Sequence, residues 1–109
     1  MKTEQPVLIT SLKAGSFIPK NFFVGFDGGF CGPGSKALGV SNADTDVSQQ
    51  LPVTVSGIAL VYTNDAISVG SKVESDSEGK AIPLSAGELN GYALDSATEG
   101  DQLIRILLV

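Results

Sequence analysis

Apolar positions along this chain recur in twos. Pro52-Val53-Thr54-Val55-Ser56 alternates without a break. A strand turns successive side chains to opposite faces, so Val53 and Val55 are expected to face a core, and Thr54 and Ser56 the other side. The stretch Gln102–Val109 alternates likewise, with Arg105 opposite Ile104 and Ile106; Leu107 and Leu108 break the pattern, which predicts cover on both faces there. Asp27-Gly28-Gly29 lies between Phe22–Phe26 and Phe30-Cys31. Asp76-Ser77-Glu78-Gly79 lies between Lys72-Val73-Glu74 and Lys80-Ala81-Ile82. Both read as hairpins whose glycines supply positive φ. No segment has the period of an amphipathic helix. Ser41–Gln50 and Ala86–Leu89 are too short and too rich in Asn, Asp, Thr or Gly. Short strands with regular turns predict an all-β barrel or sandwich.

The pattern also runs twice. Each half reads hairpin, Gly-containing strand, polar acidic loop, alternating strand, over residues 17–61 and 67–109. Ala37-Leu38-Gly39-Val40 answers to Asn90-Gly91-Tyr92-Ala93-Leu94, and Ser41–Thr45 to Asp95–Glu99 at an offset of 54. Gly57-Ile58-Ala59-Leu60-Val61-Tyr62 is expected to continue the strand Leu51–Val55 through a bulge or bend at Gly57. The fold expected is a small barrel-like β domain, residues 16–109, built from two similar strand-hairpin units. Residues 1–15 stand outside it as an extended N-terminal arm. Within that arm Pro6-Val7-Leu8-Ile9 has no evident partner. It reads equally as a strand offered to another chain's sheet edge and as the domain's own first strand.

Composition narrows the chemistry. The chain has 109 residues, no His, no Trp and one Cys, which suits one small domain. Without His there is no imidazole base, no Ser-His or Cys-His pair and no His metal ligand. One Cys forms no intrachain disulfide. A net charge of −5 argues against a nucleic-acid binder. The start Met1–Pro6 lacks the apolar core of a signal peptide, and no apolar stretch is long enough to cross a bilayer. These features predict a protein made in a cytoplasm that contacts neither membrane nor nucleic acid.

The remaining candidates are weak. Asp44, Asp46, Asp95, Glu99 and Asp101 lack calcium-loop spacing and read as solvated turn carboxylates, so no metal or cofactor is expected. Gly29–Lys36 lacks the Gly-Lys-Ser/Thr ending of a phosphate loop. Cys31 reads as a small buried residue. Asn90–Asp95 is faintly similar to the Gly-Tyr-Asp-Leu motif of trimeric all-β dUTPases, but Asp95 stands three residues past Tyr92. Phe22, Phe26 and Phe30 suit packing or a protomer interface better than a sugar platform.

The order of motifs carries a resemblance. Phe-Phe-Val-Gly-Phe-Asp-Gly, then Ala-Leu-Gly-Val, an acidic loop and Val-Thr-Val-Ser-Gly-Ile-Ala-Leu-Val open it. Val-Gly-Ser-Lys-Val-Glu-Ser-Asp-Ser-Glu-Gly-Lys-Ala and Asn-Gly-Tyr-Ala-Leu-Asp-Ser-Ala follow, before a closing apolar strand. Over residues 16–109 this resembles the capsid cement proteins of tailed bacteriophages, which are similar in architecture to the lambda head decoration protein. The resemblance implies a non-enzymatic virion protein, made in the bacterial host cytoplasm and placed on the capsid exterior. It implies a homotrimer that bridges major capsid protein subunits and stabilises the expanded, DNA-filled head. Pro6, Val7, Leu8 and Ile9 are the expected capsid contacts; Phe22, Phe26 and Phe30 are expected in packing or between protomers. The alternatives are a dUTPase-like nucleotide hydrolase and a host- or glycan-binding virion module.

Overall fold

The computed structural model describes residues 2–109; Met1 of the arm lies outside them. The described residues form eight strands and no helix. They are β1 (Gln5–Lys13), β2 (Phe23–Val24), β3 (Gly39–Ser41), β4 (Gln50–Tyr62), β5 (Lys72–Ser75), β6 (Ala81–Pro83), β7 (Gly91–Ala93) and β8 (Leu103–Leu108). Every pairing between strands is antiparallel. The sheet runs β2-β3-β4-β8-β7-β5-β6, with β1 added on β4. Its two ends nearly meet. Phe23 N–H donates to Gly79 O at 2.7 Å, and Thr63 bridges to Ala81. A barrel of this kind leaves little open edge.

The two halves are wired alike. In the first, β2 pairs with β3 and β3 with β4; in the second, β5 pairs with β7 and β7 with β8. The bridge Ile18–Thr45 has its counterpart in Ile67–Ala97. Gly39 thus corresponds to Gly91 and Thr45 to Ala97, each 52 positions on. The loop match at 54 was therefore two residues out of register, because similar Ala- and Ser-containing turns align by composition rather than by pairing.

Strand β4 holds the halves together. It runs unbroken through Gly57, which takes φ of 102°, and the irregularity expected there is present as a register slip against β1 between Pro6 and Leu8. Before it, Leu51 and Val53 pack in a small cluster with Ala14, Ile18 and Val24. After it, Ala59 and Val61 enter the main core with Phe23, Val73, Ile104 and Ile106. Adjacent Phe23 and Val24 therefore face different clusters. Thr54 departs from simple alternation: it is buried along with Val53, in the stretch of β4 that β3 flanks on one side and β1 on the other. At the other end Leu107 is 42% exposed, so its face is bare rather than covered.

Candidate interaction surface

The first strand is extended as expected, but it has a partner. Gln5–Lys13 pairs with β4 over Gln50–Ile58 of the same chain. The ordinary-strand alternative thus describes Pro6–Ile9 better than an unpaired arm does. β4, the long strand expected from Leu51 through Gly57 to Tyr62, is long enough to serve β3, β8 and β1. The register slips between Pro6 and Leu8, and again between Leu8 and Ile9. Such bulges twist an edge strand away from regular pairing.

β1 contributes little to either core. Eight of its nine residues are exposed, and Leu12 alone is partly buried, against the Leu51–Val53 cluster. Val7 is 78% exposed, Leu8 57% and Ile9 44%. Three adjacent large aliphatic side chains in solvent, on a strand held by one neighbour, make this edge the candidate interaction surface.

The Phe-rich hairpin divides. Phe22 and Phe30 meet edge to face at 5.7 Å between ring centres, and Phe22 lies 5.5 Å from Tyr62. Phe26 points outward, 68% exposed, beside an open cleft that Phe30, Cys31, Ser35 and Lys36 also line. The turn at Asp27–Gly29 lies between Phe26 and Phe30; Asp27 Oδ1 accepts Gly29 N–H.

The candidate chemical groups serve the fold. Asp95 is not a solvated turn residue. Its carboxylate accepts Arg105 Nε, Nη2 and backbone N–H, each at 3.0 Å. The guanidinium holds the Asp95 pKa below the usual carboxylate range, and the carboxylate raises that of Arg105. Asp44 accepts Lys20 N–H, and Asp101 pairs with Lys80 at 2.7 Å. In the Gly-rich loop, Gly34 N–H donates to Ser75 O and Ser35 N–H to Gly32 O, which turns these donors inward. Cys31 is buried, donating to Ser35 O, and burial pushes its thiol pKa up. Among the described residues no three His, Cys, Asp or Glu side chains converge to hold a metal.

Two buried polar groups escaped the sequence reading. Glu74 lies between Val73 and Ser75 on β5, and all three are buried. Its carboxylate accepts Ser85 N–H at 2.6 Å and Ser85 Oγ, and this hydrogen bonding lowers its pKa. The small run Ser85-Ala86-Gly87 was the available signal, since such a turn exposes several backbone N–H groups. Asn90 accepts Ala37 N–H and donates to Ser35 O, tying the halves together.

The molecule is thus a small all-β barrel whose candidate chemical groups are engaged in its own hydrogen bonds and whose edge strand exposes Val7, Leu8 and Ile9. A family model described as phage cement protein matches residues 1–108. The chain belongs to that family, and so is a capsid-associated structural protein of the phage virion. Among solved structures it is similar to the head fiber gp8.5 N base of bacteriophage phi29. The TM-score is 0.72 at 20% identity, covering 94% of this chain and 93% of that one, a likeness of fold. No curated protein matches the sequence.

Proposed function

We propose that this protein binds the outside of the expanded, DNA-filled head as a homotrimer and bridges neighbouring subunits of the major capsid protein. The observation that carries the reading is the exposure of Val7, Leu8 and Ile9 on a strand with a single neighbour. With Pro6 they form the capsid contact. Phe26, exposed at the hairpin tip, is the contact between protomers, while Phe22 and Phe30 pack on each other.

The physical mechanism is linkage. A ligand that binds only the expanded shell stabilises it by RT ln(1 + [L]/Kd) per site. A trimer engages several capsid subunits at once, so each contact after the first is effectively intramolecular. Neither mechanism needs bond chemistry. The virion reading of the phi29 head fiber base supports the same placement.

The test is co-sedimentation of the purified protein with expanded shells that lack it. Saturable binding with a fixed number of copies per shell is the expected result. Binding lost in Val7→Asp/Ile9→Asp, with the circular dichroism spectrum unchanged, locates the contact. Absence of wild-type binding overturns the reading.

A further inference from the structure

We infer that the outer edge of β1 pairs with one short extended segment of the capsid partner, through the backbone of Ile9 and Ser11. This rests on the capsid-binding reading above and specifies how the contact is made.

The register sets which atoms are free. Asn42 N–H donates to Pro52 O at 2.9 Å, and the Thr54 carbonyl lies against Gly39, so both residues face β3. Alternation turns Leu51 and Val53 toward β1, where they oppose Leu12 and Thr10. Ile9 and Ser11 therefore direct N–H and C=O away from β4. β1 pairs with no other strand among the described residues. A row of unpaired donors and acceptors is a template for a strand.

Both ends of that row are closed. The Lys13 carbonyl lies against Gly28, and Gly15 N–H donates to Gly28 O at 3.0 Å. At the other end Pro6 has no N–H, and Val7 falls in a register slip. The open window is Leu8–Leu12, which holds an added strand of about five residues. The ends also serve as protection, since a short, bulged edge resists indiscriminate pairing.

Charge defines the occupant. The protein is acidic, yet no Asp or Glu occurs between Glu4 and Asp27. Lys13 makes no salt bridge among the described residues. The edge is flanked by Val7, Leu8 and Ile9. It fits an apolar segment that is neutral or acidic, and disfavours a basic one. The strand also stays at home. Ala14 N–H donates to Gln49 O, Ser48 N–H donates to Ala14 O, and Leu12 packs on the inner cluster. The protein thus offers its own folded edge instead of releasing an arm.

The test uses the full chain and expanded shells that lack it. Ser11→Pro removes the outward N–H while leaving the pairs to β4, as proline on an edge strand does. It should weaken shell binding about tenfold or more, whereas Ser11→Ala binds like the wild type. Ser11→Cys/Pro52→Cys joins a facing, non-hydrogen-bonded pair and locks β1 onto β4 when oxidised. The locked protein should bind as well as its reduced form. Equal binding by Ser11→Pro and Ser11→Ala overturns the inference, as does binding lost on oxidation of the lock. If Ser11→Pro fails to fold, the lock decides alone. Failure of the wild type to bind shells removes the capsid reading itself, an outcome distinct from either of these.

Discussion

Gly39 and Gly91 hold equivalent places in the two halves: each lies flat against the carbonyl of the neighbouring strand, Gly39 on Thr54 and Gly91 on Leu107. Neither has positive φ, so the requirement is space alone. An added Cβ at Gly91 would stand 2.5 Å from Ile106 Cγ2 and 2.6 Å from the Leu107 oxygen. Gly39→Ala and Gly91→Ala should each destabilise the fold by ~1–3 kcal/mol, the range for overpacking. Gly70 is the contrast, with φ of 85° and no atom within 4 Å of a built Cβ. Gly70→Ala should cost ~1 kcal/mol, from conformation alone. Urea denaturation of the three variants checks the order, and a Gly91→Ala as stable as the wild type would contradict the packing.

Acid should weaken the fold through Glu74 and Asp95. Hydrogen bonds from Ser85 lower the first pKa and Arg105 lowers the second. Each folded group binds its proton less readily than the unfolded chain does. Their contribution is therefore complete above the ordinary carboxylate pKa and is lost as pH falls through the lowered values. Glu74→Gln and Asp95→Asn should flatten the acid limb of a stability-versus-pH curve. Glu74→Ala should cost ~1–3 kcal/mol at neutral pH, by removing the buried carboxylate that accepts Ser85 N–H and Oγ. An unchanged acid limb in both amide variants would refute the assignment.

Cys31 should react only through unfolding. Its side chain is buried and its thiol pKa is raised by that burial. Only the thiolate is nucleophilic, so alkylation of the native protein should be slow and should accelerate with urea along the unfolding curve. Rapid labelling without denaturant would show that the buried thiol is reachable from the cleft it lines.

Local pairing was legible in the sequence, and long-range closure was not. Val53, Ile104 and Ile106 announced their faces by alternation. Asp27–Gly29 and Asp76–Gly79 announced turns, because hairpin chemistry depends on neighbours in sequence. The partner of Pro6–Ile9 was hidden, since it lies some 45 or more positions away and β4 already had neighbours on the sheet path. Glu74 was hidden for a related reason: its acceptor role depends on the loop at Ser85, eleven residues on. Asp95 looked like a turn residue because its cation arrives from β8. Pro6–Ile9 looked partnerless in the sequence, whereas β1 pairs with β4 along one edge and only its outer edge is unpaired among the described residues.

The central claim is that binding stabilises the head. Scanning calorimetry of expanded shells, with and without saturating protein, measures this directly. The account predicts a higher shell melting temperature that rises further with protein concentration, and no such rise with Val7→Asp/Ile9→Asp. Shells that bind the protein yet melt at an unchanged temperature would contradict it.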